Sequence, residues 1–356
     1  MNEALQPGAA IGILGGGQLG RMLSVAASRL GLRTHIYDPG AEPPAGHVAE
    51  KVTTAAWDDE AALRAFAASV DVITYEFENI PAATLDLLES LCPVRPNRRA
   101  LAVSQDRLTE KDFLTGLGLT TAPYRDVPTL AALEAALAEI GPQGILKTRR
   151  LGYDGKGQAR LKGAKDAAGA YAEMVGAEAI LEGFVQFTHE VSVIAARGVT
   201  GEVACFDPGE NLHEAGILRT TTVPARLAPG QHMDAILLAG KILNALDYVG
   251  VMGVELFVTP KGLVVNEIAP RVHNSGHWTQ AGCAVDQFEQ HIRAVAGWPL
   301  GNGQRYADVV MENLIGDDVA KLPALAKAAD VQIHLYGKGA PRPGRKMGHV
   351  NRITRG

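Results

Sequence analysis

The first hundred residues alternate short apolar runs with stretches of helical periodicity. Apolar runs at residues 11–14, 34–37 and 70–75 predict strands, and amphipathic stretches at about 19–30, 59–68 and 81–91 predict helices. This alternation indicates a parallel sheet with helices packed on its faces. Two prolines within residues 92–96 interrupt the pattern, so we predict a first domain of residues 1–105.

The pattern changes after residue 105, where helical stretches are followed by many β-rich runs. Helices are predicted for DRLTEKDFLTGLG, closed by Gly116 or Gly118, and for TLAALEAALAEIG. Strands are predicted for GILKTRR, QARLKG, AILEGF, EVSVIAARG and EVACF. A helix near 232–246 precedes a hairpin over 250–270, and a further helix lies near 285–295. Strand-like runs at 309–314, 331–336 and 349–352 complete the chain, so we predict units of residues 106–297 and 298–356.

Composition excludes several classes of protein. The 356 residues carry a net charge of -5 with interspersed signs, which argues against general nucleic-acid binding. No apolar run is long enough to span a membrane, and the first residues do not resemble a secretory signal. The three cysteines are far apart in sequence and suggest a reducing, cytoplasmic location.

A glycine fingerprint stands at the start of the chain. Gly15, Gly17 and Gly20 follow an apolar run and precede a helical pattern, and Asp38 ends the next apolar run. Such a turn can seat a pyrophosphate at a helix N-terminus while the acid binds a ribose hydroxyl. The fingerprint alone therefore favours an NAD-dependent oxidoreductase.

The hairpin carries two acidic residues that we expect to face each other. We predict a three-residue turn, with Pro260 at its first position and Gly262 at a left-handed position. This register places Glu255 opposite Glu267, with carboxylates only about 5 Å apart. Facing carboxylates repel unless a cation lies between them, and paired hard oxygens suit Mg²⁺. The alternative is an acidic pair exposed to solvent.

Three further stretches carry groups that could bind phosphates or other anions. The loop at residues 151–157 has glycines around Lys156 and follows Lys147, although it is not a Walker P-loop. A polar run over 266–280 contains Arg271, whose guanidinium can hold a planar oxyanion. A basic segment over 336–352 joins two strand-like runs. The alternatives are a flexible loop, a surface loop with a helix cap, and a solvated tail.

Taken together, these stretches resemble the ATP-grasp superfamily, and within it the ligases that carboxylate aminoimidazole ribonucleotide (AIR). The resemblance is carried by GGGQLGRML, DRLTEK, LGYDGKGQ, HEVSVIAARG, NLHEAGILRTT, DYVGVMGVELF, NEIAPRVHNSGHWTQ and RPGRKMGH. It implies a mixed α/β and α+β architecture: an ATP-grasp fold, a Rossmann-like pre-ATP-grasp domain with a parallel sheet, and a small β-rich C-terminal domain. It also implies that ATP activates bicarbonate as carboxyphosphate, which then carboxylates the AIR amine in de novo purine biosynthesis.

The resemblance also implies a set of ATP-binding and metal-binding residues. Leu151 stands where the family often has glycine. Glu255 and Glu267 would bind Mg²⁺, or Mn²⁺, with two ions expected. The residues expected at ATP are Arg107, Lys147, Leu151, Gly152, Tyr153, Asp154, Gly155, Lys156, Gly157, Glu182, Gly183, Phe184, Val185, Glu190, His213, Asn266 and Glu267.

For the second substrate, the resemblance implies an AIR site whose basic residues bind the 5′-phosphate. The residues expected there are Gln18, Leu19, Glu76, Asn274, Lys338, Arg345 and Lys346. Arg271, His273 and Lys147 are the expected catalytic groups. Arg271 would orient bicarbonate, and either His273 or Glu76 would accept the proton of the AIR amine.

Competing hypotheses remain open on the sequence alone. They are another ATP-grasp carboxylase, such as a biotin carboxylase, a non-catalytic nucleotide-binding module, and the oxidoreductase. The family resemblance also implies a homodimer and a functional link to the mutase that follows in the pathway. No nucleic-acid or membrane partner is expected.

Overall fold

The protein, described by a computed structural model over residues 4–152 and 156–354, begins with a four-stranded parallel sheet. Its strands occur in the order β3-β2-β1-β4, and their parallel pairing confirms the parallel sheet that the alternating pattern predicts. The elements are β1 (Ala10–Leu14), α1 (Gln18–Arg29), β2 (Arg33–Asp38), β3 (Lys51–Thr54), α2 (Glu60–Ala67), β4 (Val72–Tyr75), α3 (Ala82–Glu89) and α4 (Arg98–Ser104).

A second sheet follows, with four antiparallel strands in the order β5-β8-β6-β7. Helices α6 and α7 bury their apolar residues against this sheet. Helix α5 precedes the sheet in the chain, and the Asp106 side chain caps its N-terminus. The elements are α5 (Arg107–Gly116), β5 (Tyr124–Val127), α6 (Leu130–Ile140), β6 (Gly144–Thr148), β7 (Gln158–Leu161), α7 (Ala167–Glu173) and β8 (Ala179–Gly183).

The largest sheet runs through the rest of the chain. Its strands occur in the order β14-β13-β9-β11-β12-β15-β17-β16, and β10 pairs with β9. The elements are β9 (His189–Arg197), β10 (Val203–Cys205), β11 (Gly209–Glu214), β12 (Ile217–Val223), α8 (Pro229–Ala245), β13 (Gly250–Thr259), β14 (Gly262–Ala269), α9 (Thr279–Gly282), α10 (Gln287–Ala296), β15 (Asp308–Ile315), α11 (Leu322–Leu325), β16 (Val331–Leu335) and β17 (Lys346–Thr354). Because β12 pairs with β15, this sheet continues across the boundary predicted at residue 298.

A single apolar cluster joins the first sheet to the largest one. Ile11 and Leu23 of the first unit belong to the same buried cluster as Ile292 of α10 and Val309 of β15. Burial of such side chains contributes about 1.5–3 kcal/mol each, so this packing is a major part of what fixes the first unit against the rest. Within residues 4–152 and 156–354, no helix is long and apolar enough to cross a membrane.

The glycine fingerprint forms a strand, a tight turn and a helix N-terminus, but the protein itself fills the anion seat. The carboxylate of Glu76, at the end of β4, accepts hydrogen bonds from the backbone N–H groups of Gly17 (2.7 Å), Leu19 (3.1 Å) and Gly20 (3.1 Å). A Cβ at Gly17 would lie 2.7 Å from a Glu76 oxygen. The glycines therefore admit a carboxylate where a dinucleotide would place its pyrophosphate.

Asp38 also has a different role from the ribose contact that the oxidoreductase hypothesis assigned to it. It accepts hydrogen bonds from the backbone N–H groups of Gly16 (2.7 Å) and Gly40 (2.6 Å), and so closes the turns around it. With both acids engaged on backbone amides, the oxidoreductase hypothesis loses the anion seat and the ribose acid on which it rested.

The β13–β14 hairpin confirms that Glu255 pairs with Glu267, but the predicted turn was wrong by one residue. Thr259 pairs with Gly262, so the turn has two residues, Pro260 and Lys261, rather than three. A bulge at Asn266 then shifts the register, because Leu256 pairs with Val265 while Glu255 pairs with Glu267. The shorter turn and the bulge each shift the register by one residue, in opposite directions, so the predicted pairing of the two glutamates is correct. Hydrophobic alternation gave no sign of the bulge.

Most predicted elements are present, with ends displaced by a few residues. The helix expected at 232–246 begins earlier, at Pro229, because proline suits the first turn of a helix. Helix α5 ends at Gly116, and Gly118 adopts the left-handed conformation beyond it. Eight of the described elements went unpredicted: β3, β5, β11, β12, α4, α7, α9 and α11. They have four to seven residues each and carry little periodic signal.

Candidate active site

The bulge at Asn266 gathers oxygen-bearing side chains on one surface of the hairpin. In a regular strand Asn266 and Glu267 would point to opposite faces, whereas a bulge turns successive side chains toward the same side. The Asn266 side-chain amide accordingly lies 3.4 Å from a Glu255 oxygen and donates to it. Glu255, Asn266 and Glu267 thus form a cluster of hard oxygen donors.

Positive charges from two other elements compensate these carboxylates. Arg107, the first residue of α5, donates to Glu267 at 3.0 Å. Burial raises the pKa of Glu267, but the charges of Arg107 and Lys147 outweigh it and lower that pKa. For Glu255, burial and the charge of Glu267 act together and raise the pKa. The pair is therefore polarised, with the negative charge favoured on Glu267.

Lys147 and Glu182 form a buried ion pair on adjacent strands. Lys147 Nζ lies 2.9 Å from Glu182 Oε2, and only 8% and 4% of the two residues is exposed. The second oxygen, Glu182 Oε1, is buried without a hydrogen-bond partner among the described residues. Burial raises the pKa of Glu182, but Lys147 and Lys111 reverse the effect and lower it. A buried polar atom without a partner marks a place where a ligand could supply one.

The glycine loop that was expected to cover phosphates is described only at its two ends. Tyr153, Asp154 and Gly155 lie outside the described residues. At one end, Arg107 Nη2 lies 3.4 Å from the carbonyl of Gly152, so the loop adjoins the hairpin cluster. Leu151 has a φ of 64° and is 70% exposed, which is strained for a leucine and natural for a glycine. At the other end, Gly157 lies too close to Thr148 to admit a side chain.

Residues 182–185, which were expected to bracket adenine, lie at the end of β8 and in the segment that leads to the largest sheet. Strand β8 ends at Gly183, and β9 begins at His189. Phe184 is 40% exposed, and the Arg160 guanidinium stands 4.8 Å from its ring centroid, whereas Val185 is half-buried. On β9 and β11, Glu190 and His213 approach to 2.9 Å. Burial lowers the pKa of His213, but Glu190 outweighs this and raises it.

The polar run after β14 folds back over the hairpin. Arg271 Nε forms an ion pair with Glu78 at 2.9 Å, and its Nη1 donates to the Val272 carbonyl, so its guanidinium has a fixed direction. His273 Nε2 lies 3.7 Å from Glu255. Burial and the nearby Arg271 lower the pKa of His273 to about 3, so its ring is neutral.

The hydrogen bonds of His273 define its tautomer. The backbone N–H of Ser275 donates to Nδ1 at 3.4 Å, and the Ser275 hydroxyl lies 2.8 Å from the same atom. Because Nδ1 accepts, the proton lies on Nε2, which faces Glu255. Gln287 fixes the backbone of His273 from both sides, accepting from its N–H at 2.9 Å and donating to its carbonyl at 2.8 Å.

The residues expected at AIR come from three distant segments that the fold brings together. Gln18 Oε1 accepts a hydrogen bond from Lys338 Nζ, which also donates to the carbonyl of Lys346 at 3.0 Å. Lys346 begins β17, which pairs with β15, and Asn313 of β15 accepts a hydrogen bond from Asn274 in the loop after β14. Arg345 donates to the Ala340 carbonyl at 3.4 Å. The first helix, the loop after β14 and the C-terminal strands thus share one region.

Two of the expected AIR residues already form hydrogen bonds with other protein groups. Asn274 and Asn313 exchange side-chain hydrogen bonds at 3.0 and 2.7 Å, and Asn274 is only 8% exposed. Leu19 offers its backbone N–H to Glu76, as described above, and its side chain is buried. Their geometry favours support of the loops around AIR over direct recognition by their side chains.

Sequence reasoning missed three residues in this region: Glu110, Lys111 and Gln287. Glu110 and Lys111 follow Arg107 by three and four positions, so the three charged side chains share one face of α5. A charged helical face is usually solvated, but here it is buried against β14, with Lys111 only 1% exposed. Their spacing relative to Arg107 was the one signal available.

Family models match three consecutive parts of the chain. A ribonucleotide synthetase preATP-grasp domain matches residues 9–105, an ATP-grasp domain matches 112–288, and a phosphoribosylaminoimidazole carboxylase C-terminal domain matches 309–355. The N5-carboxyaminoimidazole ribonucleotide synthase of Brucella melitensis is 56% identical over 353 residues, covering 98% of each chain.

The chain belongs to the N5-carboxyaminoimidazole ribonucleotide synthase family.

Solved structures of that family support the assignment. The ADP complex of an N5-carboxyaminoimidazole ribonucleotide synthetase has a TM-score of 0.97 and 41% identity, covering 100% of this chain and 95% of its own. The Aspergillus clavatus N5-carboxyaminoimidazole synthase, in complex with ADP and 5-aminoimidazole ribonucleotide, has a TM-score of 0.92 and 30% identity, covering 98% and 94%. The predicted ATP-grasp fold and ligase class are confirmed.

Buried neutral histidines make the stability depend on pH in a definite direction. Burial lowers the pKa of His291 to about 3, and its Nδ1 accepts a hydrogen bond from the Val251 N–H at the start of β13. The unfolded chain takes up a proton at this residue near its ordinary pKa, and the folded chain does not. The free energy of unfolding should therefore fall below about pH 6.5, by about 2 kcal/mol at about pH 5 for this histidine.

Denaturant unfolding of the unaltered protein and of His291→Gln, at neutral and at mildly acidic pH, measures this contribution. The variant should lose less stability on acidification than the unaltered protein. An equal loss in both would contradict the assignment of a neutral buried His291.

Proposed function

We propose that this enzyme uses ATP and bicarbonate to carboxylate AIR, releasing N5-carboxyaminoimidazole ribonucleotide, ADP and phosphate in purine biosynthesis. The observation that carries the proposal is the convergence of three groups in one region. These are the Glu255–Glu267 pair with its compensating cations, the fixed guanidinium of Arg271, and the basic C-terminal residues next to the first helix. The first group suits a nucleoside triphosphate with its metal, the second suits a planar oxyanion, and the third suits a sugar phosphate.

On the nucleotide side, ATP would lie between the two sheets that follow residue 105. Adenine would lie against residues 182–185, and Glu190 would face the ribose. Lys147 and Arg107 would neutralise the phosphates, and the glycine loop would close over them. Exclusion of water by this loop matters because carboxyphosphate hydrolyses readily.

Mg²⁺ fits the donors present. Glu255 and Glu267 supply carboxylate oxygens, and the side chain of Asn266 lies beside them. Such hard ligands suit Mg²⁺, or Mn²⁺, which would share the remaining positions with water and phosphate oxygens. When bound, the metal would offset the charge that develops on the transferred phosphoryl group.

Arg271 would orient bicarbonate toward the γ-phosphoryl group and afterwards hold the carboxyphosphate. Glu78 and the Val272 carbonyl fix the guanidinium in advance, which reduces the entropic cost of orienting the anion. His273 would donate a hydrogen bond from Nε2, since its Nδ1 accepts from Ser275. For the proton of the AIR amine, this tautomer favours Glu76 over His273, because a carboxylate has lone pairs beyond those engaged by backbone amides.

The remaining features follow from family membership and are proposals as well. We expect a homodimer in the cytoplasm, whose product passes to the N5-carboxyaminoimidazole ribonucleotide mutase of the same pathway. A biotin-type carboxylase is disfavoured because a relative that is 56% identical over 98% of the chain is an N5-carboxyaminoimidazole ribonucleotide synthase.

The decisive assay follows ADP release with AIR, bicarbonate and MgATP, leaving out each in turn. ADP release should require all of them, because we expect bicarbonate to be phosphorylated only when AIR is bound to accept the carboxyl group. ADP release that is independent of AIR would overturn the substrate assignment. A test with biotin in place of AIR identifies the rival carboxylase.

The basic C-terminal segment should act on AIR and not on ATP. Lys346→Ala should raise the KM for AIR about tenfold or more, since it removes a charged partner of the 5′-phosphate, and leave the KM for ATP unchanged. Lys327→Ala, which removes an exposed lysine from the same part of the chain, is the matched control. An unchanged KM for AIR in Lys346→Ala would contradict the proposed phosphate contact.

A further inference from the structure

Strand β14 is the terminal strand of the largest sheet, and charged side chains of α5 cover its outer edge. The N–H of Val265 donates a hydrogen bond to the carbonyl of Thr120. Farther along the strand, Glu110 accepts a hydrogen bond from the Ile268 N–H at 2.7 Å. Lys111 donates to the Asn266 carbonyl at 2.6 Å. The two residues are 2% and 1% exposed, so the edge is closed without another strand.

These two hydrogen bonds bracket Glu267. The Asn266 carbonyl belongs to the peptide group before Glu267, and the Ile268 N–H belongs to the peptide group after it. Holding both peptide groups fixes the backbone of Glu267 and therefore the direction in which its side chain leaves the strand. The bulge makes such support necessary, because pairing with β13 is irregular at this point.

Lys111 also reaches the phosphate side of the site. Its Nζ lies 3.8 Å from Glu182 Oε2, the same oxygen that lies 2.9 Å from Lys147 Nζ. One buried lysine thus connects the strand that carries Asn266 and Glu267 to the carboxylate that holds Lys147. Burying a charged side chain is costly without such partners, so the arrangement argues for a specific role.

We propose that Glu110 and Lys111 are positioning residues that hold the Asn266 bulge and thereby aim Glu267 at the metal. This inference rests on the proposed function, in which Glu255 and Glu267 bind Mg²⁺. The role of Glu110 requires a side chain of the right length but not a negative charge, because Glu110 contacts a backbone N–H. The amide of a glutamine can make the same contact, whereas the shorter carboxylate of an aspartate cannot.

Glu110→Asp shortens the side chain and keeps the carboxylate, whereas Glu110→Gln keeps the length and removes the carboxylate. Asp112→Asn, on the exposed side of the same helix, is the matched control. Two measurements are made on the full chain: the Mg²⁺ concentration that half-saturates ADP release, and Mn²⁺ binding in the presence of ADP, followed by electron paramagnetic resonance. The second does not depend on turnover.

Glu110→Asp should weaken Mn²⁺ binding and raise the half-saturating Mg²⁺ concentration about tenfold, the usual effect of losing a group that orients a metal ligand. Glu110→Gln and Asp112→Asn should match the unaltered enzyme, and the KM for AIR should stay the same throughout. In Glu110→Asp, the Ile268 amide should also exchange faster with solvent.

Metal affinity that is unchanged in Glu110→Asp, or weaker in Glu110→Gln than in Glu110→Asp, would overturn the inference. If Glu110→Asp does not fold, Glu110→Gln alone tests the inference. A tenfold loss of Mn²⁺ affinity in Glu110→Gln would contradict a role that depends only on side-chain length. An unaltered enzyme that releases ADP without divalent metal would overturn the metal assignment itself, so the two failures are distinguishable.

Discussion

Two glutamates face each other across the β13–β14 hairpin, and the surrounding charges are arranged to offset their repulsion. Arg107 and Lys147 lower the pKa of Glu267 against the effect of burial, whereas burial and Glu267 raise the pKa of Glu255. Such a pair is unfavourable unless cations surround it, and the residues that supply them come from separate elements. The site therefore requires the packing of α5 and of the second sheet against the hairpin, not the hairpin alone.

The glycine turn at the start of the chain shows how one local fold can serve different chemistry. Its backbone amides point toward an anion, as they do in dinucleotide-binding proteins, but the anion is the carboxylate of Glu76. The turn thereby links the end of β4 to the start of α1, close to Gln18 and the C-terminal basic segment. In this protein, the turn lies beside Gln18, in the region proposed for AIR.

Much of the fold follows from hydrophobic periodicity, and motif resemblance identified the family. The facing glutamates were predicted from turn chemistry, yet the true turn has two residues, and the bulge at Asn266 restores the pairing. A bulge leaves no mark in a hydrophobic pattern, because it changes backbone geometry and not residue type. Lys111 was missed for a related reason: a charged helical face predicts solvent, and only the tertiary fold shows that β14 covers it.

The contacts of the proposed substrates were accessible to sequence only through resemblance. Gln18, His273 and Lys346 are far apart in the chain, and no local rule places them together; the packing of the first sheet against the largest one does so. The hydrogen-bond partners that decide chemistry, such as Ser275 on His273 Nδ1, depend on side-chain directions that a sequence does not specify.

A crystal structure of the enzyme with Mg²⁺ and a non-hydrolysable ATP analogue would test the central claim most directly. Carboxylate oxygens of both Glu255 and Glu267 should lie about 2.0–2.1 Å from bound metal, with phosphate oxygens completing the coordination. Metal held by phosphate and water alone, with the two glutamates turned away from it, would contradict the account.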